Sequence, residues 1–268
     1  MTGQIVLFIP RILMPQAVLK SAELLNQLAD LVESPDVIDE FTLRRLTREA
    51  ETLIAIDPVN AYIALGRIAE LKLDVEEVHS NFERAMRMSK QDSLVWEDYA
   101  KSLSLLGYYL EAANLVKAQL NKNISNLELL DVAIEICVTA GLFTVAHNLV
   151  EIFNKKSQEY TSTNTLNNII AFMQKLQITE DMLAPLFKVH FDILRKHDVI
   201  LRKTINSPQI VNIECDKHLQ EFRYEIYIPK SVEEVCEMAD ELAEAVAEID
   251  LHPDVAYHFY PLYRVKET

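Results

Sequence analysis

The sequence predicts a mainly α-helical protein: a helical-hairpin solenoid followed by a small α/β domain. Three observations carry this reading. One pattern recurs at a spacing of 34 residues, with Gly107 returning as Gly141, Tyr109 as Phe143, Ala112 as Ala146 and Val116 as Val150. Self-similarity at such a period marks a repeat architecture, whose units cannot bury their apolar faces alone and must stack. Only 4 of the 268 residues are Gly, while 50% are hydrophobic, a balance that suits packed helices. Apolar–polar alternation of the strand type is plain only after residue 206.

Taken in order, Gln4 to Pro10 reads as a short strand or extended arm. Val18, Ala22, Leu25, Leu28 and Leu31 then follow helical spacing, and Ser34-Pro35 ends that helix. A second helix, about Pro35 to Ile56, completes an N-terminal arm and hairpin over residues 1–57. Residues 58–160 hold three copies of the repeat, each two amphipathic helices around a short break. In the second copy these run from about Leu94 to Leu106 and from Leu110 to Gln119. Gly107 stands where the first helix must stop, a position suited to a residue that adopts positive φ. Ala112 and Ala146 are small enough to let the second helix lie close on the first. A polar break at Gln158–Asn164 precedes a closing hairpin and linker over residues 161–205, with Thr179 as N-cap and Glu180 and Asp181 in the first turn. Residues 206–268 read as an acidic β-β-α-β domain. Its strands are Gln209–Glu214, Glu221–Ile228 and about Val255–Val265, the last an edge because of Pro261. Its helix is capped by Ser231 and Glu234 and carries an apolar stripe of Val232, Val235, Ala239, Leu242, Val246 and Ile249.

The repeat register resembles the tetratricopeptide-repeat family over about residues 58–160. The matching positions are Trp96, Leu65-Gly66, Gly107, Tyr109, Ala112, Phe82 and Ala85, although no single copy holds them all. The Pro that commonly closes such a repeat is absent, with Lys90 and Ile124 near its place. The resemblance implies a groove, lined by the first helix of each repeat, that binds partner segments. By offset its positions include Asn60, Arg67 and Glu70, then Glu97 and Lys101, then Glu128, Asp131 and Glu135. Arg67 and Lys101 occupy equivalent places, yet the acids around them oppose a clamp for a carboxyl terminus. A segment bearing Lys or Arg suits the groove better.

Net charge is −15, which disfavours direct nucleic-acid binding through phosphates and favours a basic protein partner. From residue 206 onward 14 acids face 5 bases. The helix after Ser231 concentrates them at Glu233, Glu237, Asp240, Glu241, Glu244 and Glu248, either a solvated face or a second docking face. No run is long enough to span a bilayer, and three unclustered cysteines (Cys137, Cys215, Cys236) point to a reduced cytoplasmic compartment. His190 and His197 lie seven apart, too far to share a metal alone. No phosphate-binding loop, metalloprotease motif or nucleophile elbow is present. The expectation is therefore a non-catalytic protein-binding adaptor or regulator without metal or cofactor. Two alternatives stand beside it: an inhibitory protein of the immunity or antitoxin type, and an enzyme whose site lies around His218, His252 and His258.

Overall fold

The computed structural model describes residues 13–33, 38–89, 93–119, 126–157, 160–199, 211–216 and 221–265. It is mainly helical with a small three-stranded sheet near the C-terminus, as the sequence predicts. The chain divides into two compact units, Met1–Val95 and Trp96–Thr268. The arm read at Gln4–Pro10 lies outside the described residues.

The first unit holds α1 (Leu13–Glu33), α2 (Glu40–Leu53), α3 (Pro58–Leu71) and α4 (Val75–Met88). Helix α2 is shorter than the sequence suggests because Asp39 caps it, accepting from the Thr42 N–H at 2.9 Å. Leu24 and Leu28 of α1, Leu46 and Ala50 of α2, and Ala61 and Ala64 of α3 form one buried cluster. In α4 the buried residues Val78, Phe82 and Ala85 fall on one helical stripe. Phe82 packs against Gly66 of α3, where an added Cβ would sit 2.5 Å from the ring. Only Gly allows α3 and α4 to approach so closely.

The boundary between units falls within α5 (Ser93–Leu105), and the second unit continues through α6 (Tyr109–Gln119), α7 (Leu127–Thr139), α8 (Phe143–Asn154), α9 (Thr163–Leu176) and α10 (Glu180–Lys196). It ends in β1 (Val211–Asp216), β2 (Glu221–Ile228), α11 (Val232–Glu248), the short α12 (Pro253–His258) and β3 (Phe259–Val265). The last strand is thus shorter than expected. Pro253 sits at the start of α12 and His252 caps it, so residues 253–258 coil as a helix before the strand begins. Strand β2 is central, antiparallel to β1 and parallel to β3, which leaves Pro261 on an edge strand.

Among the described residues, left-handed ones end five helices: Leu73 (φ 59), Gly107 (φ 81), Gly141 (φ 76), Gln177 (φ 55) and Asp198 (φ 50). At each, the next N–H reaches five residues back, for example Tyr108 to the Leu103 carbonyl and Leu142 to the Cys137 carbonyl, both at 2.8 Å. These are Schellman closures that satisfy carbonyls otherwise left open. The first three stand 34 residues apart, so the sequence period is also a backbone period. The first copy has Leu where the others have Gly, a conformation that costs a side-chain-bearing residue about 1 to 2 kcal/mol.

Helix α9 packs on α8 and β1, whereas α10 crosses the turns of the second and third copies. At its start, the Glu180 carboxylate accepts the Thr144 N–H (2.6 Å) and Val145 N–H (3.4 Å), capping α8 where Leu142 has no side-chain acceptor. Phe187 fills the space beside Gly141, and an added Cβ there would lie 2.5 Å from the ring. At its end, Arg195 donates to the Gly107 carbonyl at 2.8 Å and stacks over Tyr108 with 4.7 Å to the ring centroid. The sheet packs on α10 as well: Phe187 meets Tyr224 at 4.9 Å and His190 stacks on Tyr263 at 4.9 Å.

The buried face of α11 is rotated from the expected stripe. Val235, Met238 and Leu242 are buried, while Val232 and Ala239 are exposed. Its neighbours α10 and β3 meet the helix from that side.

Replacing Gly107 by Ala should lower stability by about 1 to 2 kcal/mol, mainly through backbone strain, since the new methyl group meets only the flexible Arg195 stem at 3.0 Å. Gly141→Ala should cost roughly 1 to 3 kcal/mol more, because the new methyl group collides with Phe187. Leu73→Gly should raise stability by about 0.5 to 1 kcal/mol by relieving strain. Urea unfolding of the three variants checks the ranking, and equal losses at both glycines would contradict it.

Candidate functional site

Helix α7 begins at Asn126, whose side chain caps the Glu128 N–H at 2.9 Å. One face buries Leu130, Ala133, Ile134 and Cys137. Burial pushes the Cys137 thiol up to about 12, so it remains a protonated packing group. The opposite face presents Glu128, Asp131 and Glu135, spaced three and four apart and therefore aligned along the helix. No Lys, Arg or His lies on α7.

Beside this face opens a cleft of about 610 Å³. Helix α7 contributes Ile134, Glu135, Val138 and Thr139, and α9 contributes Thr165, Leu166 and Ile169. Residues Tyr160, Thr161 and Ser162 form the rim between α8 and α9. Strand β1 supplies the far wall through Val211, Asn212 and Ile213. The floor is thus apolar, the rim carries hydroxyls, and carboxylates stand on the α7 lip. Among the described residues the lining holds no His, Cys, Lys or Arg.

Tyr160 joins rim and lip. Its N–H donates to Asn154 at 2.7 Å, its ring packs edge-on against Phe153 at 5.1 Å, and its hydroxyl donates to Asp131 at 2.7 Å. Burial raises its pKa most, and Asp131 and Glu135 raise it further, so the phenol stays a proton donor. The Thr163 N–H and hydroxyl both donate to the Tyr160 carbonyl, at 2.9 and 2.6 Å, which fixes the start of α9. The β1 wall is braced across the sheet, since Asn212 donates to Glu225 at 3.0 Å and Arg264 donates to the same carboxylate at 2.7 Å. Burial opposes ionisation of Glu225, but the Asn212 amide and Arg264 outweigh it and lower its pKa. The inner face of the sheet is anchored to α7, because the buried Tyr224 hydroxyl donates to the Thr139 carbonyl at 2.6 Å.

The structure distributes the sequence-derived groove residues unevenly. Glu135 lines the cleft, Asp131 is joined to it through Tyr160, and Glu128 is exposed one turn nearer the helix start. Glu97 is nearly buried and accepts from Lys101 at 2.5 Å. In the first unit Asn60 donates to Asp57 at 2.9 Å, Arg67 donates to the Leu25 carbonyl at 3.2 Å, and Glu70 is buried. On α11, Glu233, Glu237, Asp240, Glu244 and Glu248 are exposed. Glu241 differs: His197 (2.8 Å) and Lys196 (2.6 Å) both bond its carboxylate and hold its pKa down.

Around the alternative catalytic residues, His252 accepts the Asp254 N–H at 3.4 Å as the cap of α12, and His258 packs edge-on against Phe172 at 6.1 Å. His218 lies outside the described residues. Among those described, no group of three His, Cys, Asp or Glu is placed to hold a metal, and no helix is long and apolar enough to cross a membrane. Sequence reasoning saw residues 158–164 as a polar break and missed that Tyr160, Thr161 and Ser162 form a rim. Their composition signalled a loop, but which helix face the loop meets depends on folding.

No protein-family model, curated protein or solved structure matches this chain.

Removing the hydroxyl of Tyr224 leaves the buried Thr139 carbonyl without this donor. Tyr224→Phe should therefore cost about 1 to 3 kcal/mol in chemical denaturation. A change under about 0.5 kcal/mol would show that this bond does not anchor the sheet to α7.

Proposed function

We propose that this chain is a non-catalytic adaptor that holds a basic segment of a partner protein in the cleft between α7, α9 and β1. The observation that carries the reading is the convergence, in one recess of about 610 Å³, of an apolar floor, a hydroxyl rim and a carboxylate lip. A recess of this size accepts one or two large side chains. The aliphatic stem of a Lys or Arg suits Ile134 and Val138, with its cation directed toward Glu135 and Asp131. Thr161, Ser162 and Thr165 supply hydrogen-bonding groups for the accompanying backbone.

Two further features support a basic partner. The net charge of −15 would steer a cationic chain toward the protein and speed encounter at low salt. The exposed acids of α11 offer a second surface of the same sign. The tetratricopeptide-like register of residues 58–160 agrees with a segment-binding role, and the three free cysteines agree with a cytoplasmic setting.

Fluorescence anisotropy with a labelled peptide of about ten residues, alternating Lys and Val, tests the proposal. Thr165→Trp on the exposed cleft side of α9 should weaken binding at least about tenfold, roughly 1.4 kcal/mol. Asp131→Asn combined with Glu135→Gln should weaken it similarly and flatten its salt dependence. A peptide with Glu in place of Lys should not bind. Equal binding by both variants and the wild type would remove the cleft from the function.

A further inference from the structure

His190 stands apart among the described titratable groups of the second unit. It lies in α10, is 0% exposed, and neither ring nitrogen has a hydrogen-bond partner. Its ring stacks on Tyr263 at 4.9 Å and lies 5.7 Å from Tyr224 and 5.4 Å from Phe191. Burying a polar ring without a partner is unfavourable, and a Phe or Leu would pack there without that penalty. Beside it is a cavity of about 10 Å³, bounded by Leu186 and Phe187 on α10 and by Phe222, Tyr224 and Phe259 on the sheet. The packing defect and the unpartnered imidazole therefore occupy the same seam.

We propose that His190 is a proton-sensitive latch: its protonation parts the β-sheet from α10 while the helical hairpins remain folded. An imidazolium in this seam has no acceptor for either N–H. The titratable groups facing it are Tyr224 of β2 and Tyr263 of β3, with Tyr260 of β3 on the same cavity and Tyr109 of α6 behind Phe191 at 4.8 Å from that ring. Burial raises the pKa of Tyr109, Tyr224 and Tyr263, so these three stay neutral and offer no compensating charge. On α11, Glu241 is already bonded by Lys196 and His197. Among the described residues, Tyr263 donates to the His190 carbonyl of α10 at 3.1 Å, and Tyr224 donates to the Thr139 carbonyl of α7. The other side of α10 is pinned by Glu180 and Arg195 to the hairpin turns.

The sign of the effect follows from proton counting. Burial lowers the His190 pKa from 6.5 to about 3 in the closed state. Between those values the open state binds the proton and the closed state does not. Closure is therefore at full strength above pH 6.5 and weakens as pH falls, by about tenfold in the opening constant per pH unit. The weakening stops below about pH 3, where both states are protonated.

Hydrogen exchange followed by mass spectrometry, corrected for intrinsic rates, tests this on the full chain between about pH 7 and pH 5. The expected result is a progressive loss of protection in β2 and β3, approaching tenfold per unit below pH 6.5, with α7 and α8 unchanged. In His190→Phe the sheet amides should lose this dependence. The same dependence in variant and wild type would overturn the proposal, as would simultaneous loss in sheet and hairpins. An NMR titration of His190 in the wild-type chain does not depend on the variant folding. A pKa near 6.5 with the sheet still closed would overturn the latch, and an absence of titration down to pH 5 would support it.

Discussion

The second unit depends on one constraint: α10 must bury two faces at once. Leu183, Leu186, Phe187, His190, Phe191, Ile193 and Leu194 are all buried, an arc too wide for a helix that contacts a single neighbour. One part of that arc meets the turns of the second and third hairpins, and another meets the sheet. Fully burying one such aromatic or aliphatic side chain contributes about 1.5 to 3 kcal/mol, so α10 is a principal stabilising element of this unit. Polar groups at its two ends set its position. Glu180 sits on open N–H groups of α8, and Arg195 sits on the carbonyl of Gly107. Both are charge-assisted contacts to backbone, which fix direction more strictly than apolar contact can.

Much of this was legible in the chain. The 34-residue period matches the spacing of the left-handed helix ends at residues 73, 107 and 141, and Gly107 and Gly141 marked two of them because positive φ is easy only without a side chain. Ser231 and Glu234 announced the start of α11, and their reciprocal bonds are present at 3.3 and 2.9 Å. The path of α10 was hidden. Its amphipathic pattern says that it is a buried helix, but not that Phe187 must fit beside Gly141. The rotation of α11 was hidden for a related reason. Val232 and Ala239 share the apolar period with Leu242, and which stripe is buried depends on where α10 and β3 meet the helix. Leu73 carried no signal at all, since nothing about Leu suggests a left-handed turn.

The candidate cleft was half legible. Repeat offset singled out Glu128, Asp131 and Glu135, and these do share one face of α7. The facing walls come from residues 160–169 and 211–213, which are distant in sequence and meet α7 only through tertiary packing. A register argument can propose one side of a recess, whereas the opposing side depends on where the later chain returns. The acids of α11 show the converse limit. Glu241 looked like its neighbours in the sequence, yet the end of α10 supplies Lys196 and His197 to it, so that carboxylate fastens the fold while five others face solvent.

Two of the contacts that α10 makes with the hairpin turns also act as a ruler. Phe187 and Arg195 are eight residues apart, which spans about 12 Å of helix. Neighbouring packed helices are separated by about 8 to 10 Å, so this length bridges one hairpin-to-hairpin step. A variant with an extra hairpin between α6 and α7 would move the two glycine turns two steps apart. Helix α10 would then need about two more turns to keep both ends engaged. In this part of the molecule, repeat number and crossing-helix length must change together, and a duplication of the 34-residue unit alone would leave one end of α10 without its seat.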